Sequence, residues 1–222
     1  KLSKLDSNSF EEEKLKKLLD KVLLDYNNKA EKLTESRKKV SQNIEVMLQA
    51  ELSDLNMASA KFKVSFLKEE KVSKNGKDSI EFLIATNVGQ DYKTLTKIAS
   101  GGEVSRIMLA LKTIFSKVDN IPILIFDEID IGVGGETVRK IAGKLKEIGK
   151  HAQVICITHS PQIAAKATQQ FYIEKNVVAN TTVTTVRELN QEERVREIGR
   201  MLAGENITDT VLSHALELLK ED

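Results

Sequence analysis

The 222-residue chain has no glycine before Gly76 and no proline before Pro122, so its first 57 residues contain none of the usual helix breakers. A single long helix is predicted there. There is one cysteine, Cys156, so no intrachain disulfide can form. Its setting in Val154-Ile155-Cys156-Ile157 reads as a buried strand thiol, and a reducing, cytoplasmic home is expected. Net charge is nearly absent: 34 basic residues against 33 acidic ones give +1, so no global field draws the chain onto nucleic acid or membrane, and any such contact must be local. No run approaches the roughly 20 apolar residues that a membrane span requires. The start at Lys1 shows neither an initiator methionine nor a signal peptide, and the chain is expected to be an excised fragment. Also missing is G-x-x-x-x-G-K-[ST], the loop that would cradle nucleotide phosphates.

Within the breaker-free segment, alternating steps of four and three pick out Leu15, Leu19, Val22, Tyr26, Lys29, Leu33, Ser36, Val40, Asn43 and Met47. Seven of these ten are apolar, the pattern of a coiled-coil seam with polar interruptions. The roughly 40 residues concerned would form a rod on the order of 60 Å long. The alternative is a long amphipathic helix packed on its own domain. Ile44, Leu48, Leu52 and Leu55 shift the apolar stripe around the helix, as expected where a rod meets a globular head. The expected division is 1–57 for the arm and 58–222 for the head.

Lys61 to Leu67 alternates, Ser79 to Thr86 is rich in strand formers, and Asn75-Gly76 lies between them; a hairpin or two neighbouring strands is predicted. Six lysines fall between Lys61 and Lys77 and read either as a solvated strand face or as a contact to a DNA backbone. Beyond Leu95 the pattern becomes α/β. A helix is predicted from Ser100 to about Lys117, a strand over Ile121–Phe126, a helix over Glu136–Ile148, a strand over Gln153–Thr158 and a short helix after Pro161. Parallel strands joined by crossover helices are implied. Phe171–Glu174 and Thr182–Leu189 read as further strands, and Glu192–Leu202 and Thr208–Leu219 as closing helices.

Three short motifs carry chemistry. Ser100 and Glu103 form an S-x-x-E capping pair, followed by one apolar face of Val104, Ile107, Met108, Leu111, Ile114 and Phe115. Gly101 and Gly102 weaken a helix start unless close backbone approach is needed, and free amides at a helix N-terminus suit a phosphate. Ile121 to Phe126 reads as a buried parallel strand ending in Asp127 and Glu128, where open α/β sheets bind ligands. Adjacent strand residues point to opposite sides, so the two acids are expected to have separate roles. His159 follows the second strand and precedes Ser160-Pro161, at the sheet edge. His151 and His214 carry no assignment.

The order SGGE, Asp127-Glu128, His159 resembles the signature motif, Walker B strand and switch histidine of ATP-binding-cassette ATPases. The runs Lys97 to Lys112, Phe126 to Gly135, Thr158 to Ala164 and Arg194 to Gly204 resemble the RecN family of bacterial DNA-repair proteins, relatives of SMC proteins. The resemblance covers most of Lys97 to Leu219. It implies an α/β fold, the C-terminal lobe of an SMC-like ABC-type ATPase head with a parallel sheet and flanking helices, plus a coiled-coil helix. It implies ATP and Mg²⁺ as cofactors. Asp127 would serve the metal, Glu128 would act as general base, and His159 would reach a γ-phosphate or the attacking water. Ser100, Gly101, Gly102 and Glu103 would face the nucleotide of a second head.

Further partners implied are a Walker A half of the same protein, upstream of the coil, and DNA; no membrane is expected, and the place is the bacterial cytoplasm, at the nucleoid. The fragment alone is expected to be inactive. SMC and transporter relatives have an aspartate seven residues after the Walker B aspartate, where this chain has Gly134, so a cross-interface aspartate contact is lost. Asp130 would order the loop in its place, or merely bond nearby amides. The opposing readings are a non-catalytic interaction module and a fragment of a transporter ATPase.

Overall fold

The computed structural model describes residues 2–69, 71–116, 118–119, 121–178 and 181–221, with side chains from Glu11 onward except at 178. Lys1 and Asp222, the outer limits of the two expected regions, and Lys117, the expected end of the SGGE helix, lie outside the described residues. Helix α1 runs over Leu2–Asp54 without interruption, as the missing breakers predict. Two stripes divide its surface. Ala30, Ser41, Leu48 and Leu52 are buried, with Tyr26, Thr34, Arg37 and Ile44 partly so. Leu15, Leu19, Val22, Leu33, Val40 and Met47 of the expected seam are exposed. With 3.6 residues per turn, the seam lies about a quarter turn from the buried stripe, so packing on the domain and a free apolar seam coexist on one helix.

The buried stripe rests on strands β1 (Lys61–Lys68) and β2 (Asp78–Ala85), an antiparallel pair in the register Lys61↔Ala85 to Lys68↔Asp78. A two-residue strand β3 (Lys93–Thr94) extends the sheet in the order β1-β2-β3. Thr34 Oγ1 donates to Asp78 Oδ2 at 2.7 Å and the Tyr26 hydroxyl accepts from the Ser73 N–H at 3.2 Å. Phe62 and Val64 point inward while Lys61 and Lys63 face solvent, and Lys77 pairs with Glu31 of α1 at 3.1 Å. Lys61, Lys63 and Lys68 thus lie on the exposed side of an amphipathic strand, while Lys77 is part-buried against α1.

Helix α2 (Gly101–Phe115) leads to β4 (Ile123–Phe126), α3 (Gly135–Ile148) and β5 (Gln153–Cys156); β4 and β5 pair in parallel from Ile123↔Gln153 to Phe126↔Cys156. The parallel sheet expected from the sequence is thus a two-stranded pair, and the other strand pairs are antiparallel. Leu48, Leu52, Leu55, Ile107, Leu109, Ile129 and Ile141 form the fully buried centre of the core, where α1, α2, α3 and the first sheet meet. Each such side chain contributes roughly 2 kcal/mol by leaving water.

The strand Ile121–Phe126 differs from expectation. Leu124 and Phe126 pack on the core, but Ile123 and Ile125 are exposed, Ile125 by 67%. Ile155 on the neighbouring strand and Ile157 just beyond its end are exposed as well. Both faces have the apolar composition of a strand buried on two sides, and among the described residues only one is covered.

The remainder is helix α4 (Pro161–Ala165), the hairpin β6 (Phe171–Val178) and β7 (Thr181–Glu188), and helices α5 (Gln191–Ala203) and α6 (Asp209–Lys220). Ala164, Ala165, Ile198, Ala215 and Leu218 make a smaller second core among the helices. Opposite residues of the hairpin share a face, which sets Phe171, Ile173, Val177 and Val186 on one exposed apolar side. No helix among the described residues is long and apolar enough to cross a membrane.

Candidate functional site

Three segments converge beside the core: the first turns of α2, the loop after β4 and the loop after β5. Ser100 caps α2, its Oγ accepting from the Glu103 N–H at 3.4 Å. Only this half of the expected capping pair forms among the described residues. Glu103 instead lies near the Arg106 guanidinium, which burial pulls below its usual pKa while the Glu103 charge pushes partly back.

Arg106 holds the loop after β4. It is buried, and its Nη1 donates to the Ile131 carbonyl at 3.0 Å. One residue nearer the start, the Ser105 hydroxyl donates to the Asp127 carbonyl at 2.6 Å. The two glycines let these groups come close. A β-carbon on Gly101 would stand 2.6 Å from Glu128 Oε2, and one on Gly102 would stand 3.0 Å from the Glu128 carbonyl and 3.5 Å from that of Ile131. Close approach, one of the two reasons the sequence offered for Gly101-Gly102, is therefore met within the chain itself, and the Glu128 carboxylate occupies the amino end of α2.

Asp127 and Glu128 are both exposed, and both lie beyond the last residue of β4. Glu128 has φ 58°, a left-handed conformation uncommon for a residue with a side chain. The strand alternation expected to separate the two carboxylates does not apply, because the chain has already turned. Among the described residues no group of three or more His, Cys, Asp or Glu could hold a metal ion. Two exposed acids beside a glycine-edged helix N-terminus suit a hydrated cation and a phosphate; the phosphate-cradling loop is not among them.

Asp130 joins the two strand-end loops. It is 2% exposed, and its Oδ2 accepts from Thr158 Oγ1 at 2.5 Å and from the His159 N–H at 3.2 Å. His159 Nδ1 lies 3.3 Å from the same oxygen, while the His159 side chain is 75% exposed. Thr158 Oγ1 in turn accepts from the Ser160 N–H at 2.9 Å, turning the backbone into α4. Asp130 thus bonds one hydroxyl and one backbone amide of the 158–159 segment. Gly134, where an aspartate was expected in relatives, is the extended residue preceding α3. On the core side of β5, burial pushes the Cys156 thiol up to about 12, with Asp130 and Asp127 adding to the effect.

The fold gathers the loops that carry Ser100 to Glu103, Asp127, Glu128 and His159. Ser105 and Arg106, which tie α2 to the loop after β4, belong to none of the three sequence motifs. A signal for Arg106 existed: it falls one helical turn after Gly102 and just before Ile107, a charge on the buried side of an apolar helix.

The RecF/RecN/SMC N terminal domain is the family whose model matches residues 2–184. The DNA repair protein RecN of Halalkalibacterium halodurans is 41% identical over 222 residues, covering 97% of this chain and 39% of that protein. RecN of Bacillus subtilis is 40% identical over 223 residues, covering 93% of this chain and 38% of that protein. This chain thus spans about two fifths of the length of the curated relatives it matches. Among solved structures, the Smc head domain with a coiled coil and joint derived from Pyrococcus yayanosii aligns with 74% of this chain and 29% of that chain, at 21% identity and a TM-score of 0.49.

Proposed function

This chain belongs to the RecF/RecN/SMC N-terminal domain family, and we propose that it is the C-terminal part of a RecN-like, SMC-type ATPase acting in DNA double-strand break repair or recombination. Residues 1–57 are the arm and 58–222 the lobe of the head. The carrying observation is the convergence of the SGGE helix start with the two strand-end loops, stapled by Arg106 to Ile131 and by Asp130 to Thr158 and His159.

Two features support a missing half. The bare apolar face of β4 and β5 needs a cover, and the phosphate-cradling loop must come from chain outside these 222 residues. A Walker A half supplies both; α1 is then the returning arm of the coil, and its exposed seam is where the outgoing helix of that half would lie. Asp127 would hold Mg²⁺ through water, and Glu128 would accept a proton from the attacking water. Bound Mg²⁺ and ATP supply the electrophilic phosphoryl group and the charge that orders it. Ser100, Gly101, Gly102 and Glu103 would meet the nucleotide of a second head, giving an ATP-dependent homodimer. DNA contact, bacterial cytoplasm and nucleoid association belong to the full-length protein.

The test joins this chain to the Walker A half. The isolated chain should show no micromolar ATP affinity in calorimetry. In the joined protein Glu128→Gln should bind ATP while turnover falls about 10²- to 10⁴-fold, the usual contribution of a general base. Turnover at the unsubstituted rate would remove Glu128 from that role.

A further inference from the structure

Heptad spacing sorts the seam of α1 into two rows. Leu19, Tyr26, Leu33, Val40 and Met47 recur every seven residues and are apolar throughout, whereas the companion row of Leu15, Val22, Lys29, Ser36 and Asn43 turns polar toward the head. All of these except Tyr26 are exposed. The flank beside the apolar row is already taken: Ala30, Arg37 and Ile44 turn to the head, with Arg37 on Asp78. The opposite flank carries Asp25, Lys32, Lys39 and Val46, all exposed. Lys29 pairs with Asp25 at 2.8 Å, but Lys32 and Lys39 pair with no acid among the described residues, not even with Glu35 between them.

This arrangement refuses some partners and suits one. A DNA backbone would take the lysines but leave Leu33, Val40 and Met47 in water. A second copy in parallel register would set Lys29 against Lys29 and Lys32 beside Arg37, and an antiparallel copy centred on this stretch would face Lys32 with Lys39. Polar residues in the seam and like charges on its flanks are how coiled coils reject a partner, and opposite charges on the flanks are how they select one. The chain spans about two fifths of the length of its curated relatives, so a protein of that length has room for a further helix. We propose that this face of α1 docks one helix, the outgoing helix of the missing half, and that this helix carries acidic residues opposite Lys32 and Lys39 and polar ones opposite Lys29, Ser36 and Asn43. The docking rests on the reading of α1 as the returning arm; the charge of the partner follows from α1 itself. The contact is graded along its length. Leu15, Leu19 and Val22 hold it by burial, whereas the stretch from Lys29 to Met47 has a single apolar row and depends on charge, which salt screens.

Amide hydrogen exchange on the joined protein without ATP reads the contact along α1. The amides from Leu15 to Met47 should exchange slowly. Lys32→Glu together with Lys39→Glu changes two exposed helix positions and should lower protection between Lys29 and Met47 about 3- to 30-fold, the scale of two exposed ion pairs turned to repulsion, while Leu15 to Val22 stay as before. Salt at about 1 M, where the Debye length is ~3 Å, should lower protection in the same stretch of the parent and narrow its difference from the variant. Protection that the reversal leaves unchanged or raises overturns the acidic complement, and fast exchange throughout α1 overturns the docking.

Two further outcomes assign the face to another occupant and overturn the proposal. One is concentration-dependent pairing without ATP, seen in sedimentation and abolished by Val40→Glu, which gives the face to a second copy. The other is loss of DNA affinity in the double reversal with exchange unchanged, which gives the lysines to a nucleic-acid backbone. If the joined protein shows no turnover while the reversal acts as expected, the ATPase reading fails and the docking face stands; normal turnover with no effect of the reversal on exchange does the opposite.

Discussion

Gly101 and Gly102 occupy the same helix turn but meet different neighbours, and that difference makes a sharp experiment. A β-carbon on Gly101 would press on Glu128 Oε2, the far end of an exposed side chain that can rotate away. Replacing glycine by alanine in a helix gains roughly 0.5 to 1 kcal/mol of backbone entropy, so Gly101→Ala should be neutral or slightly stabilising. A β-carbon on Gly102 would stand 3.0 Å from the Glu128 carbonyl and 3.4 Å from Arg106 Nη1. Neither can yield freely. Glu128 is already left-handed at φ 58°, and Arg106 is tied to Ile131 at 3.0 Å. A hydrogen bond from a charged group is worth about 1.5 to 3 kcal/mol, and partial loss of it outweighs the propensity gain. Gly102→Ala should therefore cost about 1 to 2 kcal/mol, a fall in Tm of about 2 to 8 °C for a chain of this size. Urea unfolding followed by circular dichroism gives the same difference as a shift in midpoint at constant slope. If Gly102→Ala is as stable as Gly101→Ala, the packing of α2 on the 128–131 loop is not what the glycines serve.

Ser100→Arg in the joined protein, on a Glu128→Gln background, should spare ATP binding by one head and abolish ATP-dependent pairing in sedimentation; pairing intact with only about 1 kcal/mol of lost stability would reduce Ser100 to a helix cap. Cys156, with its pKa pushed up to about 12, should resist alkylation at pH 8, where roughly one thiol in 10⁴ is ionised, and react fast once the chain is unfolded. Because its folded pKa lies above the unfolded value, its stabilising effect is whole below about pH 8.5 and is lost as pH rises toward 12. Stability should thus fall less steeply above pH 9 in Cys156→Ala than in the parent chain; equal slopes would refute burial as the cause.

What the sequence could reveal was whatever leaves a local trace. The missing breakers before Gly76 mark α1, the Ser100 cap marks the start of α2, and the apolar run closed by two acids marks the end of β4. Even the offset of Leu48, Leu52 and Leu55 from the Leu15–Met47 seam was legible, because one helix has room for two stripes. Contacts between segments left no such trace. Nothing local couples Arg106 to a carbonyl 25 residues on, or Asp130 to a hydroxyl 28 residues on. The expectation that Asp127 and Glu128 alternate across a strand failed for a related reason: where a strand stops is set by its pairing with β5, which ends at Phe126↔Cys156.

The exposed isoleucines of β4, of β5 and just beyond it connect these two kinds of information. Composition alone says that Ile123, Ile125, Ile155 and Ile157 belong inside, because a strand with one wet face would alternate apolar with polar residues. The fold leaves all four outside. The proposed function reconciles composition with burial by covering this sheet with the Walker A half, and the loops that carry Asp127, Glu128 and His159 leave that same sheet at its carboxyl edge. Whatever covers the isoleucines therefore also walls the site. For that reason the phosphate-cradling loop and the missing cover are best sought in one and the same segment.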